Sequence, residues 1–175
     1  SGTVGNVKGS MKNRYCLPIF NGKNELVGVT GRSLDDRDPK WKHSGSKGLW
    51  CFPLYNNLKI IQSKKEVILV ESPMDVLSLY ECGIKNCISI FGVEMSLKIL
   101  NVLLRLNLNK IYISLNQDLE LNGGVGNEAG ERLYRRLGKY FDRRNLEIRL
   151  PVGANDINEM LTKLGKQSII DLYGK

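Results

Sequence analysis

Eight oxygen-bearing side chains fall into three short groups along the chain: Glu71 and Asp75; Asn116, Asp118 and Glu120; Asp156, Asn158 and Glu159. Gathered at one place, carboxylates repel one another unless a cation sits among them. Oxygen donors unaccompanied by His or Cys suit a hard divalent ion, Mg2+ or Mn2+. A second set lies upstream: Arg32, Lys40, Trp41, Lys42 and Lys47. Cations around an aromatic ring suit phosphates and a stacked base. An ion held by the first set would draw a phosphate between itself and the second.

Other chemistries are poorly supplied. The only histidine is His43, and Cys16, Cys51, Cys82 and Cys87 contain no C-x-x-C pair. A structural zinc site needs close-set ligand pairs, so zinc is excluded. The thiols are expected reduced and mostly buried, as in a cytoplasmic protein. No apolar run approaches the roughly 20 residues that cross a bilayer. The opening Ser1-Gly2-Thr3-Val4-Gly5 lacks the basic and apolar regions of a secretory signal and reads as a tag scar or flexible leader.

Charge separates the chain into two parts. Its 175 residues carry a net charge of +8. Residues 1–65 hold 12 Lys/Arg against 4 Asp/Glu, whereas residues 66–175 hold 14 of each. The whole excess therefore sits in the first third, which points to a polyanionic partner.

The elements that must position these residues divide the same way. Residues 15–20 and 25–30 are β-prone runs around Asn21-Gly22-Lys23-Asn24, predicting a hairpin. Residues 33–48 read as a loop, and residues 49–55 as an apolar run in which Trp50 and Phe52 are core. From residue 66 the rhythm changes. Strands are predicted at 66–70, 86–91, 110–115 and 146–150, and helices at 73–82, 94–106, 128–141, 156–164 and 168–173. This alternation predicts an α/β fold, a parallel four-stranded sheet with helices on both faces. Ligands of such sheets gather at the carboxyl ends of the strands, where three of the four strands are followed by acids or amides. The expected division is a leader over 1–10, a small basic N-terminal α+β subdomain over 11–65, and the sheet domain over 66–175. The basic stripe of Arg132, Arg135, Arg136 and Lys139 reads as a solvated helix face.

The pattern resembles the TOPRIM domain of primases, topoisomerases and some nucleases, in which a Glu ends the first strand, Asp-x-Asp ends the third and further acids follow the fourth. Glu71, Asn116-x-Asp118 and Asp156 stand in those places. The chain is most similar to the RNA-polymerase core of bacterial and phage primases. Glu71-Ser72-Pro73-Met74-Asp75-Val76 resembles that family's Glu-Gly-Tyr-Met-Asp-Val, and Ala129-Gly130 its Ala-Gly, displaced by an inserted Gly-rich stretch, 121–126. Leu150-Pro151 leading to Asn155-Asp156-Ile157-Asn158-Glu159 is similar to its Leu-Pro followed by Lys-Asp-Pro-Asp-Glu. Upstream, Leu17-Pro18-Ile19-Phe20, Gly28-Val29-Thr30-Gly31-Arg32 and Pro39-Lys40-Trp41-Lys42-His43-Ser44 resemble further family segments. The likeness runs in order from about residue 15 to 164.

The resemblance implies metal-dependent synthesis of RNA primers on single-stranded DNA from NTPs, a nucleotidyltransferase reaction. It assigns Glu71 and Asp118 as catalytic, and Glu71, Asn116, Asp118, Asp156 and Asn158 as donors to Mg2+ or Mn2+, with Glu120 and Glu159 as weaker donors. Glu71 binds an ion or accepts the hydroxyl proton, and Asp75 supports the site or orients a helix start. Arg32, Lys40, Trp41, Lys42 and Lys47 would hold template or triphosphate. Asn116 and Asn158 depart from the family's acids. Each keeps an oxygen donor and removes a charge, which lowers metal affinity. Asn116 is either natural to this branch, a phage one among the options, or introduced to inactivate the protein. A zinc-binding module and a replicative helicase are expected as partners on another segment or chain, with no membrane, in the cytoplasm of a bacterium or a phage-infected host cell. The competing readings are a TOPRIM nuclease or topoisomerase-type cleavage and, given Asn116, a non-catalytic nucleic-acid-binding module.

Overall fold

The computed structural model describes residues 3–4, 9–35, 38–46, 48, 50–117 and 128–174. They form two four-stranded sheets of opposite character. The first is antiparallel, in the order β1 (Thr3–Val4), β2 (Arg14–Phe20), β3 (Leu26–Ser33), β4 (Trp41–Gly45). Asn21 builds the β2–β3 turn, since its Oδ1 accepts from the N–H groups of Lys23 and Glu25 at 2.9 and 3.0 Å. The short β1, within the stretch read as a leader, pairs with Tyr15 and Cys16 of β2.

β4 departs from the loop expected over 33–48. It pairs with β3 from Arg32↔Trp41 to Gly28↔Gly45. The strand sits at the sheet edge with one face covered. Trp41 and His43 are half-buried, while Lys42 and Ser44 are exposed. Such a strand carries polar residues at every second position and shows no continuous apolar run.

The second sheet is parallel, in the order β6 (Cys87–Ser89), β5 (Glu66–Val70), β7 (Lys110–Ser114), β8 (Leu146–Ile148). Its strands are those expected, with β6 and β8 shorter by several residues. The residues of β5 from Val67 to Val70 are fully buried, because neighbouring strands flank it and helices cover both its faces. Helices α1 (Leu54–Lys64), α3 (Leu97–Leu104) and α4 (Glu128–Leu137) close one face around Leu69, Ile88, Ile111 and Ile113. Helices α2 (Pro73–Glu81), α5 (Ile157–Leu164) and α6 (Lys166–Tyr173) cover the other around Ile68, Val70 and Tyr112. That second core also takes in Leu17 and Ile19 of β2 with Trp50 and Phe52, so one apolar cluster joins the two sheets. Among the described residues no helix is long and apolar enough to cross a membrane. All four cysteines are free, and all but the half-buried Cys82 are buried.

α1 was not expected beyond the apolar start of its sequence. It buries only Leu54, Asn57 and Ile61, and no side chain caps its start. α2 is the opposite case: Pro73 occupies its first turn, and Ser72 and Asp75 close a reciprocal capping box.

Candidate functional site

The carboxyl edge of the parallel sheet faces β4. Glu71 follows β5 directly, and its carbonyl accepts from Ser89 Oγ at 2.9 Å and from the Gly92 N–H at 3.1 Å. These bonds fix it against the end of β6. There the chain turns through Phe91 (φ 58°) and Gly92 (φ 126°), and the left-handed region is an uncommon, strained conformation for a bulky side chain. Glu71, Ser72, Phe91, Trp41 and His43 line a cavity of about 190 Å³. Arg32, opposite Trp41 in the β3–β4 register, lays its guanidinium over the Trp41 ring at 5.5 Å. His43 Nδ1 is 2.9 Å from Thr30 Oγ1, and its ring meets Trp50 and Phe91 edge-on, with centroids at 5.4 and 6.3 Å. The cavity is thus acidic on one side and aromatic on the other, with the Arg32 guanidinium stacked on the Trp41 ring.

A second acidic group lies behind it. Asp75 is 1% exposed. Its Oδ2 accepts from Ser72 Oγ at 2.8 Å and the Ser72 N–H at 3.1 Å, and its Oδ1 accepts from the Asn158 N–H at 3.2 Å. Burial first, and then repulsion from Asp156, push its carboxyl up to about 6 against these bonds. Asp156 caps α5, accepting from the Glu159 N–H at 2.6 Å. Glu159 is held below the usual carboxylate range by Lys163 and by the Asn155 N–H. Asn158 Oδ1 accepts from Ser78 Oγ of α2 at 3.2 Å. The end of β7 is tied to the same loop: the Gln117 N–H donates to the Asn155 carbonyl at 2.7 Å, and Gln117 Nε2 to that of Pro151 at 2.9 Å.

The structure therefore brings Trp41 and Glu71 to one cavity, with Arg32 stacked on the Trp41 ring, and Asp75, Asp156 and Asn158 to one helix junction. Asn116 is half-buried beside Gln117 at the end of β7. Lys40 is exposed, and its carbonyl accepts from Arg14. Lys42 alternates with Trp41 and lies on the opposite face of β4. Asp118, Glu120 and Lys47 lie outside the described residues. Sequence reasoning missed His43, Phe91 and Gln117. The alternation of Trp41 and His43 would have shown the first, had β4 been recognised.

The donor chemistry suits a hard cation, since every candidate at this edge offers oxygen and the charge of Asp156 bears on Asp75. Among the described residues, no three His, Cys, Asp or Glu side chains cluster closely enough to hold an ion.

A central β5 flanked by β6 and β7, helices on both faces and oxygen donors at the carboxyl edge define an α/β domain that presents its ligands at the strand ends. The chain belongs to the Toprim-like family, whose model matches residues 68–161, more than half of it. The DNA primase of Clostridium acetobutylicum is 29% identical over 170 residues, covering 92% of this chain and 26% of the relative. The chain thus spans about a quarter of that relative's length. The RNA polymerase domain of the Mycobacterium tuberculosis primase DnaG, solved in complex with a double-stranded DNA oligomer bearing a 6-nucleotide overhang, superposes with a TM-score of 0.77 at 17% identity. That match covers 99% of this chain and 57% of the other. The zinc-binding and RNA polymerase domains of the Aquifex aeolicus primase superpose with a TM-score of 0.69 at 24% identity, covering 92% and 40%. These likenesses extend over both sheets of the fold.

Proposed function

We propose that this chain is the catalytic core of a DNA primase, an RNA polymerase that makes short primers on single-stranded DNA. One observation carries the reading: Glu71, at the end of the central strand, shares a cavity with Trp41, on which Arg32 is stacked. A carboxylate edge meeting a cation–aromatic wall is what a nucleotide needs, with its phosphates toward the acids and their ion and its base toward the ring. Family membership and the primase relatives support the same reading.

In this reaction a 3′-hydroxyl attacks an α-phosphate and pyrophosphate leaves. Glu71, Asn116, Asp118, Asp156 and Asn158 are the residues that would hold Mg2+ or Mn2+. When bound, such an ion lowers the pKa of the hydroxyl and offsets charge on the phosphates. Glu71 and Asp118 act on the reacting groups, Glu71 either binding the ion or accepting the hydroxyl proton. Trp41 stacks on a base, and Arg32, Lys40, Lys42 and Lys47 hold template or triphosphate. Asp75 is a positioning residue that joins the start of α2 to the first turn of α5. Residues 11–65 then serve as a basic subdomain and residues 66–175 as the TOPRIM domain. A zinc-binding module and a replicative helicase would be supplied by other segments or chains, in the cytoplasm of a bacterium or a phage-infected host cell.

The test is incubation of the chain with a polypyrimidine template, labelled NTP and either ion. Oligoribonucleotides support the proposal. Shortened or nicked DNA would replace it with phosphodiester cleavage, and a gel shift without chemistry would replace it with a binding module.

A further inference from the structure

A second and larger cavity, about 590 Å³, opens at the seam between β2, α1 and α2 and shares no lining residue with the Glu71 cavity. That volume suits a small organic ligand. Its walls are rings: Tyr15 and Phe20 from β2, Phe52 ahead of α1, and Tyr80 from the last turn of α2. Its floor is fixed. Asn57, 2% exposed, donates to the Cys87 carbonyl at 2.6 Å and accepts from the Tyr80 hydroxyl. Leu17, Pro18, Pro53 and Leu77 add aliphatic surface. Two exposed polar groups, the Asn56 amide and the Lys85 ammonium, stand among them, and no Asp or Glu lines the cavity.

This lining selects among ligands. Without a carboxylate it is no cation site. An apolar peptide side chain would leave Lys85 and Asn56 without use. A flat ring with hydrogen-bonding edges and an attached anion matches the apolar walls and both polar groups: ring against ring and aliphatic surface, amide against edge, ammonium against phosphate. We propose that this cleft binds a nucleotide, with its base among Tyr15, Phe20, Phe52 and Tyr80 and its phosphate on Lys85. Lys85 precedes β6 and Tyr80 ends α2, so the Lys85 end of the cleft lies toward the amino ends of the strands, while Phe52 reaches the other end through its pairing with Ser89. It is a second nucleotide site, independent of the primase reading. A free nucleotide and a nucleotide within a strand present the same chemistry.

Photolabelling with 2-azido-ADP in EDTA, followed by peptide mapping, tests it, because neither catalysis nor a divalent ion is required. Label is expected within residues 15–20 or 77–85, reduced at least fivefold by Lys85→Glu and unchanged by Trp41→Ala. Lys85 is exposed, so the variant folds, which a melting curve verifies. Protection by ADP names a free nucleotide as the ligand, and protection by oligo(dT) names a strand. Label confined to peptides carrying Trp41 or Glu71, label that neither competitor displaces, or label indifferent to Lys85→Glu would overturn the assignment. Primer synthesis can fail without touching any of these outcomes.

Discussion

Asp75 on α2 accepts the backbone N–H of Asn158 on α5 at 3.2 Å, across 83 positions of sequence. The same carboxylate closes the cap of α2 on Ser72, the residue after Glu71. One buried side chain thus couples the loop that presents Glu71 to the turn that presents Asp156. Replacing Asp75 with Ala leaves the N–H groups of Ser72 and Asn158 without their acceptor. A loss of about 2–3 kcal/mol in unfolding free energy is expected near pH 4, where the buried carboxyl is protonated and carries no desolvation cost. Primer synthesis should fall more than this melting change explains, because Glu71 and Asp156 lose their relative placement. Denaturant melts run beside activity assays at a temperature where the variant stays folded check both.

The pH dependence of stability follows from the same group. Its folded pKa of about 6 stands above the ordinary carboxylate value of 3.8. The protonated form is therefore favoured by folding, and that contribution is complete below about pH 4. It is lost as pH rises through 6, after which the folded protein holds a buried charge costing up to about 3 kcal/mol. In EDTA, unfolding free energy should decline between pH 4 and 6.5 in the native chain, and Asp75→Asn should remove that decline. An Asp75→Asn profile with the native slope would assign it to another group.

The parallel half of the molecule was legible because its signals are local. The run 67–70 is continuously apolar, and Ser72-Pro73 and Asp156 mark helix starts by residue type alone. β4 and α1 were not legible for a common reason. Each buries only one narrow stripe, Trp41 and His43 in the strand and Leu54, Asn57 and Ile61 in the helix, among polar neighbours. At the site, Glu71 could be named from its position after a strand. His43 could be named only through the unrecognised alternation of β4, and Phe91 not at all, since their meeting depends on contact between two sheets and the left-handed backbone of Phe91 has no marker in its residue type.

Trp41 and Lys42 are sequence neighbours on opposite faces of β4, and their substitutions should separate. Trp41→Ala removes the ring beside Glu71 and should weaken binding of a labelled single strand by about tenfold, the worth of one stacked base. Lys42→Ala should leave stacking intact and lower the slope of log K against log salt by about one. Fluorescence anisotropy over a salt series reads both. Equal losses with equal slopes would deny Trp41 a distinct role.

Gly28 faces Trp50 so closely that an added Cβ would lie 2.5–2.7 Å from indole atoms. Trp50 is 1% exposed and wedged between the sheets against His43 and Phe91, so it has no room to withdraw. Gly28→Ala should cost about 1–3 kcal/mol and lower the melting temperature by roughly 3–10 °C. The displaced ring should also disturb the Glu71 cavity, so strand binding at a permissive temperature should weaken too. A thermal melt and one binding curve suffice, and a variant with native stability would show that the strands shift to admit the methyl.

Asn116 ends β7 next to Gln117, whose N–H holds the Asn155 carbonyl ahead of Asp156. Position 116 therefore directly precedes a residue bound to the loop that leads into Asp156. The Asn116 amide contributes a dipole where a carboxylate would contribute a full charge. If the edge binds a divalent ion, Asn116→Asp should tighten Mn2+ binding on the order of tenfold, because ligand charge sets affinity at oxygen sites. Without the ion the same change adds repulsion and should lower the melting temperature. The diagnostic result is a crossover, with the variant less stable than the native chain in EDTA and more stable in saturating Mn2+. Paramagnetic resonance titration and paired melts measure it. A variant destabilised equally in both conditions would remove Asn116 from the metal edge.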